Sequence, residues 1–289
     1  MRQMKKWLSL ALALVLALAL ALPAFAAEAT WEKMVDGNGV LEPQDAYTPA
    51  SVQAALTAYQ HYLDAPSGSQ AEKDAYNNEF KPAILAMAFN AHTFTDAPRG
   101  QWFDQALDYV CSSGKMNGVA PGKFDPQGTM TRAMAVTILW RMNGEPAPKA
   151  AAAFSDVPAG QWFSDAIAWA VENGITNGTS KTTFAPNSPV TREQMATFFS
   201  RMILTLAGQS TDLKYIESVV RAQLARQYSD AAQISSYALG HILICLETGV
   251  MKGNADGTFA PAANITRAQG AQMLMNYYYF LLNQTFKTL

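Results

Sequence analysis

From Phe94 onward the chain repeats itself at a fixed offset, and this constrains its fold more than any other feature. Phe94-Thr95-Asp96 returns 60 residues later as Phe154-Ser155-Asp156. The same step carries Gln101-Trp102-Phe103 to Gln161-Trp162-Phe163, Gly114 to Gly174 and Asn117-Gly118 to Asn177-Gly178. It also carries Phe124-Asp125-Pro126 to Phe184-Ala185-Pro186, and Thr131-Arg132 to Thr191-Arg192. Composition does not produce independent matches at one spacing. A third copy opens at Tyr228-Ser229-Asp230, and its later landmarks, Gly249, Gly253, Phe259-Ala260-Pro261 and Thr266-Arg267, stand 75 residues beyond those of copy two. Asp230 stands only 74 beyond Asp156, so one extra residue falls early in this copy. Counting back from Gly249 sets Tyr237 where copy two has Trp162. The longer step reflects an insertion around 204–227, whose stretch 213–224 has helical periodicity.

Each copy reads as helix, loop, helix. In copy two, Trp162, Ala166, Ile167, Ala170 and Val171 make an apolar helical stripe, and Asn173-Gly174 is a helix stop. The loop 174–190 follows, with Phe184 as a buried plug. Thr191 is the N-cap of the second helix, with Arg192 at its first position and Gln194 completing a capping box. Thr266 and Gln269 repeat the box, whereas copy one has Met134 there and lacks it. Met195, Phe198, Phe199 and Met202 continue at helical spacing as core. One such unit cannot cover its own apolar faces, so the copies must pack on each other.

These residues resemble the S-layer homology (SLH) domain of bacterial surface proteins. The pattern is an opening F-x-D, a W-x-x-x-A-I helix, a G-x-x-x-G turn, F-x-P, and a T-R-A-E-like helix start. Here the last element reads Thr131-Arg132-Ala133-Met134, Thr191-Arg192-Glu193-Gln194 and Thr266-Arg267-Ala268-Gln269. The resemblance covers about residues 94–280. It implies an all-α fold, three helix-loop-helix repeats packed as a pseudo-threefold bundle within one chain. It also implies non-covalent attachment to a secondary cell-wall polymer linked to peptidoglycan, often carrying pyruvate ketals. The corresponding domains are 94–150, 151–212 and 213–289, the last including the inserted helix.

A pyruvate ketal carries a carboxylate, which calls for a positive or amide-rich cradle. A helix N-terminus supplies N–H groups and partial positive charge, and Arg132, Arg192 and Arg267 stand at such starts. Each is expected to clamp an anion in the groove of its own copy, or else to pair structurally with Asp96, Asp156 or Asp230. Trp102, Trp162 and Tyr237 offer ring faces for a pyranose, unless they pack into the core. Gly118, Gly178 and Gly253 either let the sugar approach the backbone or satisfy a turn. These twelve residues form the expected ligand-binding set. Copy three is the least regular, with His241 where copy two has Ala166, so its groove, led by Arg267, is expected to bind weakest.

Before the repeats, Arg2, Lys5 and Lys6 precede the apolar run 7–22 and the small-residue site Ala24-Phe25-Ala26. This is the pattern of a secretory signal peptide, 1–26, and implies an exported protein at the cell wall or surface. No later segment is apolar enough to span a membrane. Residues 27–93 read as a helical spacer, with one helix from 47–51 to about Leu63 and a second from near Ala71 toward Met87. This stretch resembles a FIVAR module, and binding of another surface protein through it is the alternative, an assembly subunit of the surface layer. The formal net charge of −2 offers no basic excess for nucleic acid. Cys111 and Cys245 lie in apolar helical stretches and read as buried thiols, although export permits one bridge. His61, His92 and His241 have no metal-ligand spacing, and Asn254-Ala255-Asp256-Gly257 lacks the ligand series of a calcium loop. Neither metal nor cofactor is expected. The acidic residues are scattered and no nucleophilic triad or phosphate loop stands out, so the sequence reads as a non-enzyme.

Overall fold

The computed structural model describes residues 29–38, 40–213 and 216–285. The leader expected at 1–26 lies outside these residues. Helices dominate: α1 (Trp31–Asn38), α2 (Pro49–Asp64), α3 (Gln70–Asp74), α4 (Lys81–Leu85), α5 (Asp104–Ser112), α6 (Arg132–Met142), α7 (Ser164–Glu172), α8 (Arg192–Leu206), α9 (Glu217–Leu224), α10 (Leu239–Glu247) and α11 (Arg267–Thr285). Among the described residues no β-strand forms, in keeping with the all-α expectation, and the inserted helix is α9. The chain forms two compact units. Among the described residues, one comprises Phe94–Pro98 and Gly118–Tyr277; the other comprises those up to Thr93, Arg99–Asn117 and those from Tyr278 onward.

In the first unit, three buried residues close a ring of backbone hydrogen bonds. Met130 N–H donates to Ile265 C=O (2.9 Å), Ile265 N–H to Val190 C=O (3.0 Å), and Val190 N–H to Met130 C=O (3.0 Å). Each residue immediately precedes a Thr-Arg helix start, so the ring is the axis of the pseudo-threefold bundle. Thr131 caps α6 by accepting from Met134 N–H. Thr191 and Thr266 do the same for Gln194 and Gln269, whose side chains accept from the cap backbone in return, completing the two expected boxes. Phe124, Phe184 and Phe259 are fully buried plugs. Leu213 and Ile216 from the insertion lie so close over Gly240 that a methyl group there would clash.

The second unit is built on aromatic side chains. Tyr47 stacks on Phe89 at 4.6 Å and shares a hydroxyl–hydroxyl hydrogen bond with Tyr278 (2.8 Å). Backbone bonds from Thr48 N–H to Ala88 C=O and from Asn90 N–H to Ala46 C=O pin the two flanking segments together. Tyr109 of α5 donates to the buried Glu42 carboxylate (3.1 Å), which also meets Lys115 Nζ at 3.1 Å. The sequence reading gave helices of about the right extent before the repeats. It missed the wide π-helical turn Ala75–Phe80 between α3 and α4, and the way this region is built around Tyr109 and Tyr278.

Candidate functional site

The three arginines lie at equivalent joints between copies. In copy two, the Asp156 carboxylate accepts from Phe184 N–H (2.9 Å) and Ala185 N–H (2.7 Å). Asp96 grips Phe124 and Asp125 in the same way, and Asp230 grips Phe259 and Ala260. Burial opposes ionisation of Asp96 and Asp156, but their backbone N–H bonds outweigh it and hold both carboxyls below their ordinary range. The gripped middle residues, Asp125, Ala185 and Ala260, are left-handed with φ of 58°, 59° and 55°.

The carbonyl just before each left-handed residue receives an arginine from another copy. Arg132 Nε donates to Phe184 C=O (2.9 Å), Arg192 Nε to Phe259 C=O (2.8 Å), and Arg267 Nε to Phe124 C=O (2.8 Å). Each guanidinium lies over the ring of the same phenylalanine, 4.5–4.9 Å from its centroid. The expectation of an arginine working within its own copy is therefore corrected: copy one reaches copy two, copy two reaches copy three, and copy three reaches copy one. All three side chains are buried, and burial pulls the Arg132 and Arg192 values down against the opposing pull of neighbours that include Asp156 and Asp230. The hydrogen bonds of Arg132 and Arg192 go to carbonyls rather than carboxylates. Arg192 spends one terminal nitrogen on Lys252 C=O (2.9 Å), whereas Arg132 donates only through Nε.

The expected backbone cradle for an anion is already occupied. The N–H of Arg132, Arg192 and Arg267 donates to Ser188, Ala263 and Gly128 C=O, and the N–H of the next residue donates to Pro186, Pro261 and Pro126 C=O. The cap threonine takes the third. Helix starts that would be open in an isolated copy are satisfied by its neighbour.

Trp102 and Trp162 are 60% and 57% exposed, and Tyr237 is 46% exposed. The core role passes to the next residue: Phe103 and Phe163 are buried, each meeting its tryptophan edge-on at 5.2 Å. The glycines let an aromatic ring pack against their backbone. A Cβ at Gly118, Gly178 or Gly253 would strike the opening ring of its own copy, Phe94, Phe154 or Tyr228, so the space is already filled. The three aspartates likewise hold loops. Outside the expected ligand-binding set, Glu193 binds Ser235 and Tyr237, and Phe198 lies 5.3 Å from the Arg132 guanidinium. The signal for Glu193 was in the sequence: copies one and three have Ala133 and Ala268 there. No disulfide joins Cys111 and Cys245; Cys245 is buried and Cys111 half-buried.

The S-layer homology domain model matches the chain at residues 93–135, 153–196 and 227–271, one match per copy. The chain therefore carries three S-layer homology domains, a family of surface-anchoring modules. It is 34% identical over 166 residues to the surface-layer 125 kDa protein of Lysinibacillus sphaericus, covering 56% of this chain and 13% of that one. To the endoglucanase of Bacillus sp. (strain KSM-635) it is 30% identical over 186 residues, 64% and 18% respectively. To the S-layer protein sap of Bacillus anthracis it is 28% identical over 192 residues, 66% and 22%. The chain spans less than a quarter of the length of these relatives. No helix among the described residues is long and apolar enough to cross a membrane.

Proposed function

We propose that this chain is an exported, non-enzymatic anchor that binds an anionic secondary cell-wall polymer through the arginine-led joints between its copies. The observation that carries this reading is the state of Arg132 and Arg192. Each is a buried cation held by carbonyls and an aromatic ring, with no carboxylate bonded to it. Removing a charge from water is costly, and an incoming carboxylate recovers part of that cost by pairing with the guanidinium edge. A pyruvate ketal on a sugar is a ligand of this kind, and the exposed Trp102 and Trp162 add flat apolar faces for the ring. Several weak joints on one chain then give firm attachment to a repeating polymer.

Co-sedimentation of the chain from Ala27 with purified wall sacculi tests the proposal. Binding should vanish once the attached polymer is chemically stripped. Binding that survives stripping would exclude the polymer as the main ligand. Arg192→Glu should abolish most of the sedimented fraction while leaving the helical circular dichroism in place.

A further inference from the structure

One joint differs from the other two because of a side chain that its counterparts lack. Glu193 follows Arg192 directly, where the other copies have Ala133 and Ala268. Its carboxylate accepts from Ser235 Oγ (2.8 Å), Ser235 N–H (3.0 Å) and Tyr237 Oη (3.2 Å), tying the start of α8 to the turn that leads into α10. Tyr237 is the copy-three counterpart of Trp162, and a tryptophan has no hydroxyl with which to make this bond. Arg132 packs against Phe198, which is also on α8, and its charge is felt at Tyr237, as is that of Arg201. Burial and the Glu193 charge together push the Tyr237 phenol upward, so the hydroxyl keeps its proton and donates it to the Glu193 carboxylate. Arg132, through Phe198, and Tyr237, through Glu193, thus both meet α8, and Tyr237 feels the Arg132 charge.

Resting on the anion-binding reading above, we infer that Glu193 is a specificity-determining residue that closes the Arg132–Tyr237 groove to anionic sugars, leaving two working grooves, led by Arg192 and Arg267. A sugar carboxylate drawn to Arg132 meets a like charge that three hydrogen bonds hold in place, and like charges at close range disfavour binding. The tethered tyrosine ring cannot reorient to stack on a pyranose as a free indole can. This ordering reverses the sequence-based one, in which the Arg267 groove was weakest, because Tyr237 of copy three is within electrostatic reach of Arg132.

Isothermal titration with a monosaccharide bearing a pyruvate ketal separates the possibilities. The unmodified protein should take two equivalents per chain, and the double variant Glu193→Ala with Tyr237→Trp, which restores the side chains of the other copies, should take three. Glu193→Gln removes only the charge, keeps the shape needed at Ser235, and should also gain a third, weaker equivalent. Three equivalents in the unmodified protein, or an unchanged number in Glu193→Gln with its circular dichroism intact, would overturn the inference. No binding at all by the unmodified protein would instead overturn the anion-binding reading on which it rests.

Discussion

Ala185 and Ala260 occupy a backbone region that costs an L-residue with a Cβ about 1–2 kcal/mol, and they remain there because Asp156 and Asp230 hold their N–H groups. Replacing Ala185 with glycine relieves that strain but loosens the unfolded chain, for a net gain of about 0.5–1 kcal/mol. The check is a melting temperature a few degrees higher with unchanged wall binding. The gripping carboxylates predict an acid limb. Asp96 and Asp156 are held below their ordinary range, so their contribution is complete above about pH 4 and is lost as pH falls further. In Asp156→Asn, the fall in melting temperature between pH 4 and pH 2.5 should be smaller than in the unmodified protein. His241 acts in a higher window. Burial, then the charge of Arg201, lowers its value from 6.5 to about 4, and its Nδ1 lies 3.0 Å from Ser200 Oγ. The neutral ring is the stable form, so stability is complete above pH 6.5 and declines as pH drops toward 4. His241→Ala, which installs the copy-two residue, should flatten the melting curve across that window.

Among the elements, the second helix of each copy is the keystone, because its first turn takes every backbone bond from a neighbouring loop or its own cap. Thr191→Ala removes the acceptor for Gln194 N–H and breaks the box; a loss of about 1 kcal/mol by denaturant melting is expected. Phe184 is a larger case: it fills the core and its ring underlies Arg132. Phe184→Ala should cost about 3–5 kcal/mol by denaturant melting, whereas Phe184→Leu retains most of the packing. In the second unit, Tyr47 and Tyr278 share one buried hydrogen bond. Tyr47→Phe and Tyr278→Phe should each destabilise by about 1 kcal/mol, and the double variant by less than the sum.

At the scale of the whole molecule, the copies form a closed ring and not an open stack. Met130, Val190 and Ile265 exchange their backbone bonds in one rotational sense, so every copy both gives and receives. Truncation after Gly208 removes the partner of Met130 N–H and of Arg192 Nε together, and the remaining repeats should lose cooperative thermal unfolding entirely. The stretch before the repeats belongs to the fold in the same way. Deleting residues 27–93 strips Tyr47 and Glu42 from Tyr109 and Tyr278, so a lower melting temperature is expected, where a plain spacer would leave it unchanged.

The amino-acid sequence determined the three copies, the helix starts at Arg132, Arg192 and Arg267, the two complete capping boxes and the plugs such as Phe184. All of these are local, since periodicity, a threonine cap and a glutamine three residues later act within one turn of helix. The exposure of Trp102 and Trp162 was not legible, because Trp-Phe in tandem does not tell which ring turns inward. Only the tertiary structure decided that each arginine serves the next copy, that the helix-start N–H groups are consumed by that copy's carbonyls, and that Glu193 lies against Tyr237. Those outcomes depend on the sense in which the ring closes, and three near-identical copies carry no local signal for that. Closure is set by where backbone donors find acceptors across the bundle, a property of the assembled chain.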